Sequence, residues 1–130
     1  MSDPEKNKPL STYRDLIVWQ KAMDLVVESY QLARKLPREE RFGLTAQIRD
    51  ASTSITANIA EGYGRRRRGE YLHFLGIANG SLMELETHII AGSRLKYFER
   101  EDAAAAWNIA QEVGRLLNKL MASLEKPPEP

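Results

Sequence analysis

An all-α fold, an antiparallel up-down four-helix bundle, is predicted by three features of this sequence. Apolar residues recur at alternating steps of three and four along four separate stretches, the spacing of one helix face. The links between those stretches are short, which makes successive helices antiparallel neighbours. No stretch alternates apolar and polar residues as a strand would.

The first helix is expected from Arg14 to Leu36, with a heptad seam of Leu16, Trp19, Met23, Val26, Tyr30 and Ala33. Lys21, Asp24, Glu28, Gln31 and Lys35 form its polar stripe. Pro37 stops it, because proline disfavours helical geometry at Leu36 and lacks an N–H. The second is expected from about Glu40 to Gly62 on a seam of Leu44, Ile48, Ala51, Ile55 and Asn58. Its "STSIT" run is poor in helix formers, so packing must hold it. Gly62 and Gly64 are read as its end, glycine accepting the left-handed geometry of a C-cap. The third spans about Gly69 to Phe98, with Tyr71, Leu75, Ala78, Leu82, Leu85 and Ile89 in register. Arg94 and Lys96 suit the negative end of its dipole. The fourth spans about Glu101 to Leu124, with Ala103, Ala106, Ala110, Val113, Leu117, Leu120 and Leu124 in register. Glu101 and Asp102 suit its positive end.

A chain of 130 residues, 42% hydrophobic and 28% charged, suits one soluble domain with a real core. Residues 13–125 are read as the bundle, 1–12 as a disordered arm and 126–130 as a disordered tail. No apolar run approaches a membrane span, and the first residues lack the apolar region of a secretory signal. There is no cysteine, which excludes disulfides and thiolate chemistry and fits a cytoplasmic location. A net charge of +1 leaves only a local argument for nucleic acid.

Two helices are more apolar than an isolated bundle requires. In the first, Val18, Leu25 and Leu32 add a further heptad position to the seam, so four of seven positions are apolar where three suffice. In the third, Met83, Ile90 and Tyr97 form a second stripe. These six residues are read as an oligomer interface; packing under the terminal arms, or an irregular bundle, is the alternative. Between helices two and three, small residues face one another. Folding the hairpin about Arg67 brings Ala57 and Asn58 near Gly76, and Ser54 near Gly80 and Ser81. Asn58, Ser81, Glu61 and Glu84 are read as structural polar residues, a network that fixes register.

Enzyme chemistry finds little support. Glu70 and His73 have the Glu-x-x-His spacing of bundle di-iron sites, but those sites need the motif twice and two more glutamates. Glu84 and His88 lack a third ligand. No serine has a nucleophile-elbow context, and Gly62-x-Gly64 joins two helices rather than a strand and a helix. No catalytic residue, metal or cofactor is expected.

The remaining signal is Arg65, Arg66, Arg67 and Arg68, four consecutive arginines between two helices. In an up-down bundle Arg14 and Lys119 lie toward the same end, where acids are few: Asp15, Glu61, Glu70 and Glu125. At the other end Glu39, Glu40, Glu99, Glu101 and Asp102 largely offset the cations. Arginine suits phosphate because its planar fork donates two hydrogen bonds and stays ionised. Tyr63 and Tyr71 flank the run and are read as stacking surfaces for unpaired bases. The competing readings are a solvated turn, or an arginine that satisfies carbonyls at the end of a helix. No base-reading motif is present, so binding would rest on backbone and shape.

Three stretches, "YRDLIVWQKAMDLVVESY" (13–30), "FGLTAQIRDASTSITANIAEGYGR" (42–65) and "EYLHFLGIANGSLMELET" (70–87), resemble the four-helix-bundle proteins of 23S ribosomal RNA intervening sequences. The resemblance covers about residues 13–98. It rests on the Asp-Leu-x-Val-Trp-Gln start, the Asn-Ile-Ala-Glu-Gly turn and the Gly-Ser-x-x-Glu-Leu run, in that order. Asn58, Glu61, Gly62, Gly64, Arg65 and Glu70 match the family's turn motif, and Gly80, Ser81 and Glu84 match its third helix. Arg66, Arg67 and Arg68 exceed the usual pattern. The resemblance implies homopentameric barrels, no established activity for most members, and kinship with the RNA- and reverse-transcriptase-binding accessory protein of diversity-generating retroelements. The expected function is a non-enzymatic oligomer that binds RNA through the arginine turn. The alternative is an adaptor for a protein partner. No membrane partner is expected.

Overall fold

A computed structural model describes residues 11–126. A 3-10 turn at Tyr13–Asp15 leads into α1, Ile17–Ala33, and a second at Arg38–Glu40 leads toward α2, Leu44–Gly64. Then come α3, Arg68–Arg94, and α4, Arg100–Glu125; the described residues contain no strand. α1 and α3 each pack against both α2 and α4. They therefore occupy opposite corners of the bundle. Of the expected arm only Ser11 and Thr12, and of the expected tail only Lys126, are among the described residues.

Local hydrogen bonds explain where the helices begin. The Asp15 carboxylate accepts from the backbone N–H groups of Ser11 and Thr12, at 3.0 and 3.1 Å. Those bonds hold its pKa below the ordinary carboxylate value. They close a 3-10 turn, so α1 starts at Ile17 and not at Arg14. At α4 the Glu99 N–H donates to Asp102 Oδ2 at 2.9 Å, half of a capping box. Gly43, in an irregular conformation (φ −104°, ψ −114°), delays α2 to Leu44.

α3 stops at Arg94 rather than Phe98 because the chain reverses at Lys96, whose φ is +64°. The N–H of Lys96 donates to Ser93 O and that of Tyr97 to Gly92 O, both at 3.0 Å. This is the Schellman pattern, with lysine where glycine is favoured. The strain predicts that Lys96→Gly stabilises the protein by about 1 kcal/mol. A denaturation midpoint that falls in the variant would refute this reading. Gly62 and Gly64 play no such part. No glycine has a positive φ, α2 runs through both, and it ends at an extended Arg65 (φ −78°, ψ 132°).

The core follows the predicted seams on three helices. Ile48 and Ile55 of α2, Leu75, Leu82 and Leu85 of α3, and Val113 and Leu117 of α4 are buried. α1 departs from its prediction. Val18, Leu25 and Leu32, expected at a subunit interface, lie in the core, and Leu25 is 0% exposed. Met23, expected in the seam, is exposed, and Trp19, Val26 and Tyr30 are only partly buried. Two apolar arcs lie side by side on α1, and its neighbours α2 and α4 cover the one carrying Ala22 and Leu25. Tyr97 also leaves the interface set, being partly buried against the core. Met83 and Ile90 remain outside, 58% and 47% exposed.

The polar network between α2 and α3 is smaller than expected. Ser54 and Ser81 share a hydrogen bond of 2.8 Å, and the Asn58 amide donates to Ser54 O at 2.8 Å and Ser54 Oγ at 3.1 Å. Serine and asparagine thus satisfy one another locally. Glu84 is exposed, and Glu61 turns to Arg65 instead. Gly76 and Gly80 do not face α2, since a Cβ on either would meet nothing within 4 Å. The close approach lies at Gly62, against Tyr71 and Phe74.

Candidate nucleic-acid interface

Only residues 65–67 separate α2 from α3. A link that short sets the two helix ends side by side and leaves the arginines at the tip of the hairpin. Their four side chains have different fates. Arg65 Nη2 donates to Glu61 Oε1 at 2.7 Å, and its guanidinium lies 5.0 Å from the Phe74 ring centroid. Arg68 Nη1 donates to the Lys126 carbonyl at 3.0 Å, tying the start of α3 to the end of α4. A helix terminus leaves carbonyls without partners, and this arginine satisfies one just past α4. Arg66 and Arg67 are exposed, and among the described residues neither forms an ion pair or a side-chain hydrogen bond.

The surroundings reinforce the positive sign. The first turn of α3 has no side-chain cap, so its free N–H groups and the positive pole of the helix face the same region. Arg14 is exposed on the 3-10 turn before α1, 5.9 Å over the Tyr13 ring. Lys119 is exposed on α4, six residues or about 9 Å short of its end. Two nearby acids are already engaged, Asp15 with backbone N–H groups and Glu61 with Arg65.

Tyr63 and Tyr71 do not offer free stacking faces. Their rings meet edge to face, centroids 6.1 Å apart, and both pack on the core. Burial, and then Tyr63 beside it, push the Tyr71 phenol above its ordinary pKa. The pair braces the hairpin from within and so holds the arginine turn in place.

Among the described residues no three of His, Cys, Asp or Glu converge as metal ligands. His73 sits edge-on to Phe74, centroids 5.4 Å apart. No described helix is long and apolar enough to cross a membrane.

Two participants in the site, and one exposed aromatic at the far end, escape a reading of the sequence. Phe74, a seam-flanking residue, is a platform for Arg65. The backbone of Lys126 is the partner of Arg68. At the far end, Phe42 is 84% exposed beneath the Arg41 guanidinium at 4.7 Å. The Glu61–Arg65 pair did carry a local signal, since residues four apart share a helix face.

A family model described as 23S rRNA-intervening sequence protein matches residues 14–119. A crystal structure of a protein of unknown function from the S23 ribosomal protein family of Bacteroides thetaiotaomicron is similar at 28% identity, with a TM-score of 0.75. That match covers 81% of this chain and 98% of the other. No curated protein matches this chain at a significant level.

Proposed function

This chain belongs to the family of 23S rRNA-intervening sequence proteins, and we propose that it is a non-enzymatic oligomer binding RNA through the α2–α3 turn. One observation carries this reading: Arg66 and Arg67 stand unpaired at the tip of a braced hairpin while Arg65 and Arg68 on either side are held. Two fixed neighbours cost little entropy to place two free guanidiniums toward phosphate. With no base-reading motif, affinity comes from backbone charge and RNA shape.

The test is fluorescence anisotropy with a labelled structured RNA over a salt series. The expected log–log slope has a magnitude of about 3 or more, at about 0.7 to 0.9 per neutralised phosphate. Arg66→Ser with Arg67→Ser flattens it, and the fold survives because neither side chain has a partner. A folded oligomer that fails to bind at low salt removes the RNA reading.

Oligomerisation is supported by the outer faces of α1 and α3. Ile17, Met23 and Val27 are exposed on the first, and Met83 and Ile90 on the second. Because α1 and α3 occupy opposite corners, two different patches point away from each other. Such patches pair head to tail, and a head-to-tail interface that closes makes a ring. Five copies is the number the family resemblance implies, and a ring would gather the turns of all subunits and focus their potential. Met83→Glu with Ile90→Glu is expected to reduce the light-scattering mass to one chain without loss of helical circular dichroism. A monomeric wild type at micromolar concentration refutes the ring.

The adaptor reading is favoured by Phe42 and Leu95, exposed apolar residues at the end away from the arginines. Adaptor binding would survive high salt and depend on those two positions. A cysteine-free chain supports placing either activity in the reducing cytoplasm.

A further inference from the structure

Beyond the arginine turn, a concave feature of ligand size lies at the opposite end of α3. A cleft of about 510 Å³ opens between the last turns of α3 and the first turns of α4, within the ~300–1,000 Å³ range of small-molecule sites. Its origin is in the sequence. Near its start α4 carries four consecutive alanines, Ala103 to Ala106, and these small side chains leave a gap between the two helices at the surface. Ala103, Ala104 and Ile90 line the apolar part, and Trp107 stands beside them, partly buried.

The charged groups of the cleft have one sign. Arg94 from the end of α3 and Arg100 from the start of α4 both line it, and no carboxylate does. The described residues form three ion pairs, Lys21–Glu112, Lys35–Asp102 and Arg65–Glu61, and neither arginine belongs to any of them. The nearby Asp102 carboxylate is already engaged by the Glu99 N–H and Lys35. Two unpaired guanidiniums on converging helices suit a phosphate better than a single carboxylate, because together they offer more donors than one carboxylate accepts. An indole and alanine floor beside them suits a flat ring, since aromatic side chains stack on bases whatever their identity.

We propose that the cleft between the end of α3 and the start of α4 binds a mononucleotide, its phosphate held by Arg94 and Arg100 and its base against Trp107. This site is about 39 Å along α3 from the arginine turn, taking 26 residues at 1.5 Å each. It is therefore independent of RNA binding there. Ile90 is a lip common to the cleft and the proposed subunit face, so the nucleotide sits at the edge of that face.

The experiment uses the full chain in its native assembly. Trp19→Phe leaves Trp107 as the only indole, and its fluorescence is titrated with adenosine 5′-monophosphate. A saturable change with Kd of about 1 mM or tighter is expected. Adenosine alone and inorganic phosphate alone should each bind about tenfold more weakly or worse. Arg94→Ser and Arg100→Ser should each weaken the nucleotide by about tenfold or more, the loss of a charge-assisted contact. Ala104→Leu fills the cleft at an exposed helical position where leucine is a good helix former, so binding is lost while circular dichroism is kept. No saturable signal overturns the proposal. So does binding that survives Ala104→Leu, which places the nucleotide elsewhere. Octanoate binding as tightly as the nucleotide also overturns it, by showing a site for apolar anions.

Discussion

Leu25→Ala lowers the stability of the folded chain by about 2 to 5 kcal/mol, the range for truncating a fully buried leucine. Leu25 is 0% exposed and sits mid-α1, with the buried Ala22 and Ser29 one turn away on either side. The loss combines the transfer free energy of the deleted carbons with the cavity they leave. A domain of this size is stable by only about 5 to 15 kcal/mol, so the variant gives up a large share of its margin. Chemical denaturation followed by circular dichroism reads the change directly. The same heptad-spaced residue would behave otherwise at a subunit interface: oligomer mass would fall while the stability of the isolated chain held. A stable Leu25→Ala chain with reduced mass would return Leu25 to the surface. Met83→Ala is the complementary case, since an exposed side chain leaves no cavity when truncated.

Gly62→Val destabilises by about 3 kcal/mol, at the upper end of overpacking costs. A Cβ at residue 62 would lie 2.9 Å from Phe74 Cβ, 3.1 Å from Tyr71 Cδ1 and 3.2 Å from the Tyr71 carbonyl oxygen. Two of these three neighbours are fixed by the α3 backbone, so the helices themselves must part. Gly62→Ala is the milder case. Its clash is offset in part by the roughly 1 kcal/mol that alanine gains over glycine inside a helix, and it remains a net loss. Parting α2 from α3 also shifts Phe74, on which Arg65 lies, so if the arginine turn binds RNA as proposed, the valine variant is expected to weaken that binding as well as stability. Thermal melting and the RNA titration, run on the same preparations, test both effects. A valine variant as stable as the parent would mean that α2 and α3 do not approach as closely as described.

Within the arginine turn, composition and position diverge. A run of four arginines reads as one basic feature. In the structure it is two pairs of unlike role, because Glu61 lies one turn before Arg65, and the α4 terminus lies beside Arg68. The Glu61 contact is legible, since four residues along a helix return to the same face. The Lys126 contact spans 58 residues, and no local pattern reports it. Tyr63 and Tyr71 show the same limit. Their types suggest stacking on bases, yet each finds the other across the hairpin.

The sequence by itself determined the helices, their order and most of their inward seams, because helical periodicity is a property of the local chain and needs no knowledge of neighbours. It also determined the resemblance on which family membership rests. Only the tertiary structure decided which of two apolar arcs on α1 turns inward, which glycines are packed and which are bare, and which arginines stay free. Each of those questions depends on what stands opposite. Val18, Leu25 and Leu32 repeat every seven residues as regularly as Leu16, Met23 and Tyr30 do, and a single helix cannot rank them. Burial is settled when α2 and α4 close fully over one arc and leave the other only partly covered, with Leu16 buried, Tyr30 half-buried and Met23 exposed, which is a non-local choice made by the packing of the whole bundle.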